Sequence, residues 1–321
     1  MHITSGTKQI LCILALYFFL AWSLTGVYFF THTQQIPDDW EHWHEQIGAG
    51  TAPDSSQFRL ISYWLADGAS KPFGQPVFIG YLSVRFVFTF ITLCLFHLFL
   101  LKWMRPVMAT FSVVLFAALT PISFIPFLQE ADIVLYPFFL GGLWFIREQK
   151  FWWLAGIIAA GTFAKETIIF LLPMFALYQW RRGRTWRTIV ETALLAIIWA
   201  AAFYVTRHVF FEGNNSPLWQ LPANISFLSQ SLALHPLINV YLFFIPVFGV
   251  FWILPFMRLS TKPMFLQRAA PYIVIFTTLH FLMGWPHETR IMLPLAFLII
   301  PSGLMTLFPD GWEKNEVAPQ G

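Results

Sequence analysis

The chain has 321 residues, of which 57% are hydrophobic and only 11% charged. A soluble globular domain carries about 25% charged residues, so this composition excludes one and indicates a polytopic membrane protein. The net charge of +3 is small and sorted along the chain, which argues against a nucleic-acid partner. The two cysteines, Cys12 and Cys94, both lie inside apolar runs, which argues against a disulfide framework or a cysteine metal site.

The first apolar run, residues 10–31, is too long for a signal-peptide core and reads as an uncleaved first helix with Lys8 anchoring it inside. It leads into a large outer loop, residues 32–76. Within that loop the stretch from Phe58 to Ala66 has helical apolar spacing and predicts an amphipathic helix lying in the interface. Further spans are predicted over residues 77–101, 106–128 and 133–146. Two short runs follow, 151–163 and 166–180, with Ala164 and Lys165 between them. Read as one broken helix they would place the basic cluster Arg181, Arg182, Arg184 and Arg187 outside, so they are taken as two spans. The last spans are predicted over 188–210, 236–257, 269–285 and 291–308, with a second large outer loop at 211–235 and a short inner tail, 309–321. The whole chain, 1–321, is expected to form a single transmembrane domain of about ten helices with both termini in the cytoplasm.

That threading sorts the charges. Lys8, Lys102, Arg105, Arg147, Lys150, the cluster after residue 180, Arg258, Lys262, Arg268 and Lys314 all fall on one side. Most of the 16 acids fall on the other. The basic side is the cytoplasmic one by the positive-inside rule, and the acidic side reads as a working face outside the cytoplasm.

Several groups on that face are chemically informative. Asp38 and Asp39 follow the first helix and read either as a helix N-cap after Pro37 or as a carboxylate base, one of them in a drier setting than the other. His42 and His44 suggest a metal, but a spacing of two does not place both on one helical face. Glu130 and Asp132 stand where the third span exits, as solvated turn residues or as partners of the same pocket. Arg85 lies about two turns inside the second span, where a charge faces protein or a polar cavity unless it snorkels out. Lys165 and Glu166, adjacent at a break flanked by Gly161 and Pro173, cannot easily face one another on a helix, which leaves Lys165 able to meet an anionic group such as a phosphate. His287, Glu288 and Arg290 precede the last span; Arg290 has the forked geometry that holds phosphate oxygens, or serves as an interfacial anchor. His97 and His280, inside apolar runs, read as core histidines.

The acidic pair after the first helix, the acids after the third, the break 161–167 leading to Leu172 and Pro173, and Glu288, Thr289 and Arg290 followed by Leu293 and Pro294 occur in an order and sidedness that resembles the GT-C superfamily of polytopic glycosyltransferases. Gln57, Phe58, Arg59 and Leu60 are similar to a stretch in small bacterial members. The resemblance implies a GT-C-like helical fold, a polyprenyl-phosphate-linked sugar as donor, and an acceptor that is a glycan, lipid or protein. It implies a base at Asp38 or Asp39, assistance from Glu130 and Asp132, and donor-phosphate contacts from Lys165 and Arg290, with Arg85, Glu166, His287 and Glu288 nearby. It also implies a bacterial inner membrane with the active face outside. No metal or other cofactor is called for beyond the donor itself. Many members carry a soluble outer domain, and here the chain after Phe308 is short. From the residues alone, a transporter or flippase of an anionic or lipid-linked substrate and a non-catalytic membrane subunit remain as rival readings. The transferase requires Asp38 or Asp39, Glu130, Lys165 and Arg290 to converge at one side.

Overall fold

The computed structural model describes residues 5–32, 36–52, 57–124, 130–180, 185–208, 222, 225–226, 248–283 and 289–312. Most of them are helical and none forms a strand; a single isolated bridge joins Met104 to Trp312. In chain order the helices are α1 (Ser5–Thr31), α2 (Ile36–Ala49), α3 (Leu60–Ser70), α4 (Val77–Leu100), α5 (Pro106–Phe124), α6 (Ala131–Arg147), α7 (Phe151–Ala164), α8 (Leu171–Trp180), α9 (Thr185–His208), α10 (Met264–Met283) and α11 (Ala296–Leu307). Among the described residues five stretches, Thr7–Thr31, Val77–Leu100, Pro106–Phe124, Thr185–His208 and Thr289–Leu307, are long and apolar enough to cross a membrane.

Large apolar side chains on them point outward, among them Phe19, Trp22, Trp186 and Ile197, as does Trp152 of α7, each more than 60% exposed. Soluble proteins do not leave such surface to water, whereas lipid tails accept it without cost, so this is the surface of a membrane-embedded protein. The last stretch is the opposite case. Leu293, Leu295 through Ile300 and Leu304 are buried, and Phe297 packs its ring on Phe96 of α4 (5.1 Å) and Phe116 of α5 (5.0 Å). This helix therefore runs through the middle of the bundle, with α4, α5, α6 and α10 around it.

The two short runs after α6 form an antiparallel pair. The ring of Phe151, at the start of α7, meets Phe175 of α8 at 6.3 Å, and the Tyr178 hydroxyl reaches the carbonyl of Arg147 at 3.5 Å. A single broken helix would have carried these residues apart. The reversal lies at Lys165, which is fully extended (φ −164°, ψ 135°), and a 3₁₀ segment, Glu166–Phe170, follows it. Pro173 accounts for the tighter turn, because its ring crowds the carbonyl four residues back and offers no N–H in return. Side chains also donate to carbonyls of this segment: Trp199 Nε1 to Glu166 O (3.0 Å) and the Tyr272 hydroxyl to Phe170 O (2.8 Å).

Two expectations change. The predicted span 236–257 begins outside the described residues, and its remainder is a set of 3₁₀ turns, Gly249–Trp252 and Leu254–Phe256, followed by Leu259–Thr261. Gly249 takes a left-handed conformation (φ +50°) and Pro255 cannot donate, so the apolar run does not continue as an α-helix. The last span begins not as an α-helix but as a 3₁₀ segment, Thr289–Leu295, around Pro294.

The amphipathic helix expected after Phe58 is present as α3, and it packs flat on α4. The contact needs a glycine: a Cβ at Gly80 would lie 2.2 Å from the carbonyl oxygen of Ala66. Backbone cannot yield as a side chain does. Gly80→Ala is therefore expected to cost about 1–3 kcal/mol, read as a lower melting temperature of the detergent-solubilised protein. A variant melting like the parent would show that α3 sits farther from α4.

Candidate functional site

One end of the bundle gathers the start of α2, the segment before α3, the N-terminal half of α4, the start of α6, the break after α7 and the start of the last apolar stretch. Each brings a charged side chain, and most of these are buried.

Arg85, on the protein-facing side of α4, is 3% exposed and does not snorkel to the surface. Its guanidinium lies over the ring of Tyr28 at 3.3 Å and near that of Phe124 at 4.7 Å, and its Nη1 donates to Glu130 Oε1 at 2.8 Å. Burial pushes the Glu130 carboxyl above the usual carboxylate range, and Arg85 opposes that shift. Two residues on, Asp132 accepts from Arg290 Nε at 2.8 Å and from Lys165 Nζ. Asp132, Lys165 and Arg290 are each 1% exposed.

The backbone explains why Lys165 meets Asp132 and not Glu166. An extended residue sends successive side chains to opposite sides. Lys165 points inward to Asp132, and Glu166 turns the other way, its Oε1 3.9 Å from Arg59 Nη2. Lys165 thus turns away from Glu166, as expected from the sequence, and the anionic group it meets is the Asp132 carboxylate. Burial lowers its ammonium pKa, and the charge of Asp132 works against that lowering. Arg290 is placed by similar means. Pro294 offers no α-helical donor to the Arg290 carbonyl, and the Tyr136 hydroxyl donates to that carbonyl at 3.2 Å.

Arg59 comes from the motif Gln57, Phe58, Arg59 and Leu60, all of it buried. Gln57 clamps the segment to the end of α2, accepting from Ala52 N (2.8 Å) and donating to Ile47 O (2.9 Å). Phe58 then presents its ring to Arg207 of α9, with 4.3 Å between guanidinium carbon and ring centroid.

Asp38 and Asp39 are in the first turn of α2, and both are exposed. Neither occupies the drier setting expected for one of them. The next residue, Trp40, is 2% exposed and its ring lies 6.1 Å from Tyr28 and 5.3 Å from Tyr81. The pair therefore stands one aromatic layer from Arg85, on the rim of the buried cluster. His42 and His44 do not share a partner. His42 meets Gln46 at the surface (2.8 Å), whereas His44 pairs with Asp67 (2.8 Å), meets the Tyr81 hydroxyl (3.2 Å) and stacks on Tyr63 (4.2 Å). Among the described residues no three His, Cys, Asp or Glu side chains are grouped to hold a metal ion. His287 and Glu288 lie outside the described residues.

Arg59, Arg85, Lys165, Glu130, Asp132, Glu166 and Arg290 are thus brought together, with Asp38 and Asp39 beside them. Sequence reasoning missed Arg207 and gave Arg59 no role. The signal was available, since both, like Lys165 and Arg290, are cations on the acidic side of the threading. His97 is a core histidine, bonded to the Tyr17 hydroxyl at 2.6 Å. The opposite end of the bundle has its own polar set: Lys102 and Arg147 both pair with Glu148 (3.4 and 2.5 Å), and Arg147 lies over Trp103 at 5.1 Å. Compared with protein-family models, with curated proteins and with solved structures, the chain matches none.

Proposed function

We propose that this protein is a membrane glycosyltransferase of GT-C type. It moves a sugar from a polyprenyl-phosphate-linked donor to an acceptor glycan, lipid or protein at the extracytoplasmic face. In this reading about ten helices cross a bacterial plasma membrane with both termini inside, and the charged cluster lies at the outer end. One observation carries the proposal: Arg85, Lys165 and Arg290, from three distant parts of the chain, converge on Glu130 and Asp132, and Tyr28, the ring under Arg85, also packs on Trp40, the residue next to the exposed pair Asp38 and Asp39.

Buried charge in a membrane protein is expensive and marks a site when it is concentrated at one end. A fixed set of cations in a dry setting stabilises charge that grows on a leaving phosphate as the bond from sugar C1 to the phosphate oxygen breaks. An exposed carboxylate at the rim is where an acceptor hydroxyl arrives, and Asp38 or Asp39 takes its proton as it attacks C1. Direct attack inverts the anomeric carbon. The phosphate departs with its own negative charge, so no general acid is required. Glu130 and Asp132 hold the cations in place and are not themselves proton acceptors in this scheme, because each is engaged by a cation.

The test is a reconstitution. Purified protein in vesicles is supplied with a polyprenyl-phosphate sugar carrying label in the sugar, and acceptors of the three classes are offered in turn. Release of free polyprenyl phosphate with label on an acceptor is expected. Transbilayer movement of intact donor with no release would establish the flippase instead.

A further inference from the structure

We infer that Arg207 is the residue that grips the anionic phosphate of the lipid-linked ligand directly, with Lys165 and Arg290 supplying the field around it. This rests on the transferase reading above and names a contact that reading does not contain.

The cluster's other cations are already engaged. Lys165 and Arg290 donate to Asp132, Arg85 donates to Glu130, and Arg59 faces Glu166. An incoming phosphate would have to displace a carboxylate from one of them. Arg207 is different. It is 8% exposed, and what sets it apart from the other cations of the cluster is that no carboxylate among the described residues lies within ion-pair distance of it. Glu166 and Arg59 act on it only at longer range.

Its plane is nonetheless held. The guanidinium carbon lies 4.3 Å from the Phe58 ring centroid and 4.5 Å from that of Phe203. Stacking on rings fixes the orientation of a guanidinium while leaving its N–H edge available, and that edge matches the spacing of two phosphate oxygens. A bland account is a cation favoured near the C-terminus of α9 by the helix dipole. Its Nε, however, is buried with no hydrogen-bond partner, so no last-turn carbonyl takes up that N–H, and the helix dipole does not account for the stacking of the guanidinium on two rings.

The position also suits a lipid. Arg207 is in the last turn of α9, a helix long and apolar enough to cross the membrane, and Tyr204, one turn before its end, is 61% exposed. A prenyl chain lying along the apolar flank of α9 would bring its phosphate to the level of Arg207, beside the cluster.

The experiment measures binding of neryl phosphate, a short prenyl phosphate, to detergent-solubilised wild type, Arg207→Gln and Arg207→Lys. Neryl alcohol, inorganic phosphate and phosphatidylglycerol serve as competitors. Wild type is expected to bind neryl phosphate and prefer it to all three. Arg207→Gln is expected to weaken binding about ten- to hundredfold, and Arg207→Lys less, since a lysine keeps the charge but not the fork. Equal affinity in all three proteins overturns the assignment while leaving the transferase reading intact. Competition by phosphatidylglycerol as effective as neryl phosphate makes Arg207 an anchor for bulk lipid, and overturns it too. Absence of binding by wild type overturns both. If Arg207→Gln fails to fold, as its melting curve would show, the comparison of wild type with Arg207→Lys decides: unchanged affinity and unchanged discrimination against the alcohol refute the proposal.

Discussion

Asp132→Asn is expected to destabilise the protein by about 3–5 kcal/mol, the cost of removing one partner from a buried ion pair. The substitution keeps the shape of the side chain and removes only its charge. What remains is the difficulty: Lys165 and Arg290, each 1% exposed, lose the carboxylate to which both donate. Glu130 cannot replace it, being bonded to Arg85. Lys165 can shed its proton at a cost, whereas an arginine cannot. The double variant Asp132→Asn with Lys165→Met is therefore expected to recover part of the loss, and Arg290 sets the part that does not return. Fluorescence-monitored thermal unfolding in detergent, run on both single variants and the double, gives the coupling between the two residues. If Asp132→Asn melts with the wild type, the carboxylate does not hold this cluster together, and the convergence on which the functional proposal stands loses its physical basis.

The residues of this cluster were legible in the sequence, and their pairings were not. Lys165 stood out because an ionised pair at a helix break near Pro173 has no simple structural account, and Arg85 because of its depth in an apolar run. Partners were a different matter. Arg85 and Glu130 are 45 residues apart, Lys165 and Asp132 are 33 apart, and Arg290 and Asp132 are 158 apart. Nothing local encodes which acid each cation will find; that follows from how the helices close around the last apolar stretch. Local chemistry was misread where a backbone detail overrode the pattern. The apolar run near Val250 carries a helical composition, but Gly249 and Pro255 turn its described part into 3₁₀ segments. Arg207 has no mark in the sequence beyond its charge, and the rings of Phe58 and Phe203 single it out in the structure.

The base assignment predicts the opposite pattern from Asp132. Asp38→Asn and Asp39→Asn, made separately, are expected to leave the melting temperature within the spread of surface substitutions, about 0.5 kcal/mol, because both side chains are exposed. One of the two is expected to slow sugar transfer by about 10²–10⁴-fold, the contribution of a positioned base. An exposed carboxylate becomes such a base only when bound acceptor covers it, so the loss should appear at saturating donor and leave donor affinity unchanged. Positioning then depends on α2, whose first turn is anchored by Trp40, 2% exposed and packed by Tyr28 and Tyr81. Tyr28 is also the ring beneath Arg85, so the element that carries the base and the cluster that receives the phosphate share a wall. Trp40→Ala should accordingly reduce the transfer rate while both aspartates remain in place, and Trp40→Phe should restore much of it. Full transfer rates in both aspartate variants and in the double Asn variant would remove the base from this pair. With the acids of the cluster engaged by cations, no other carboxylate among the described residues that converge here would be in a position to serve.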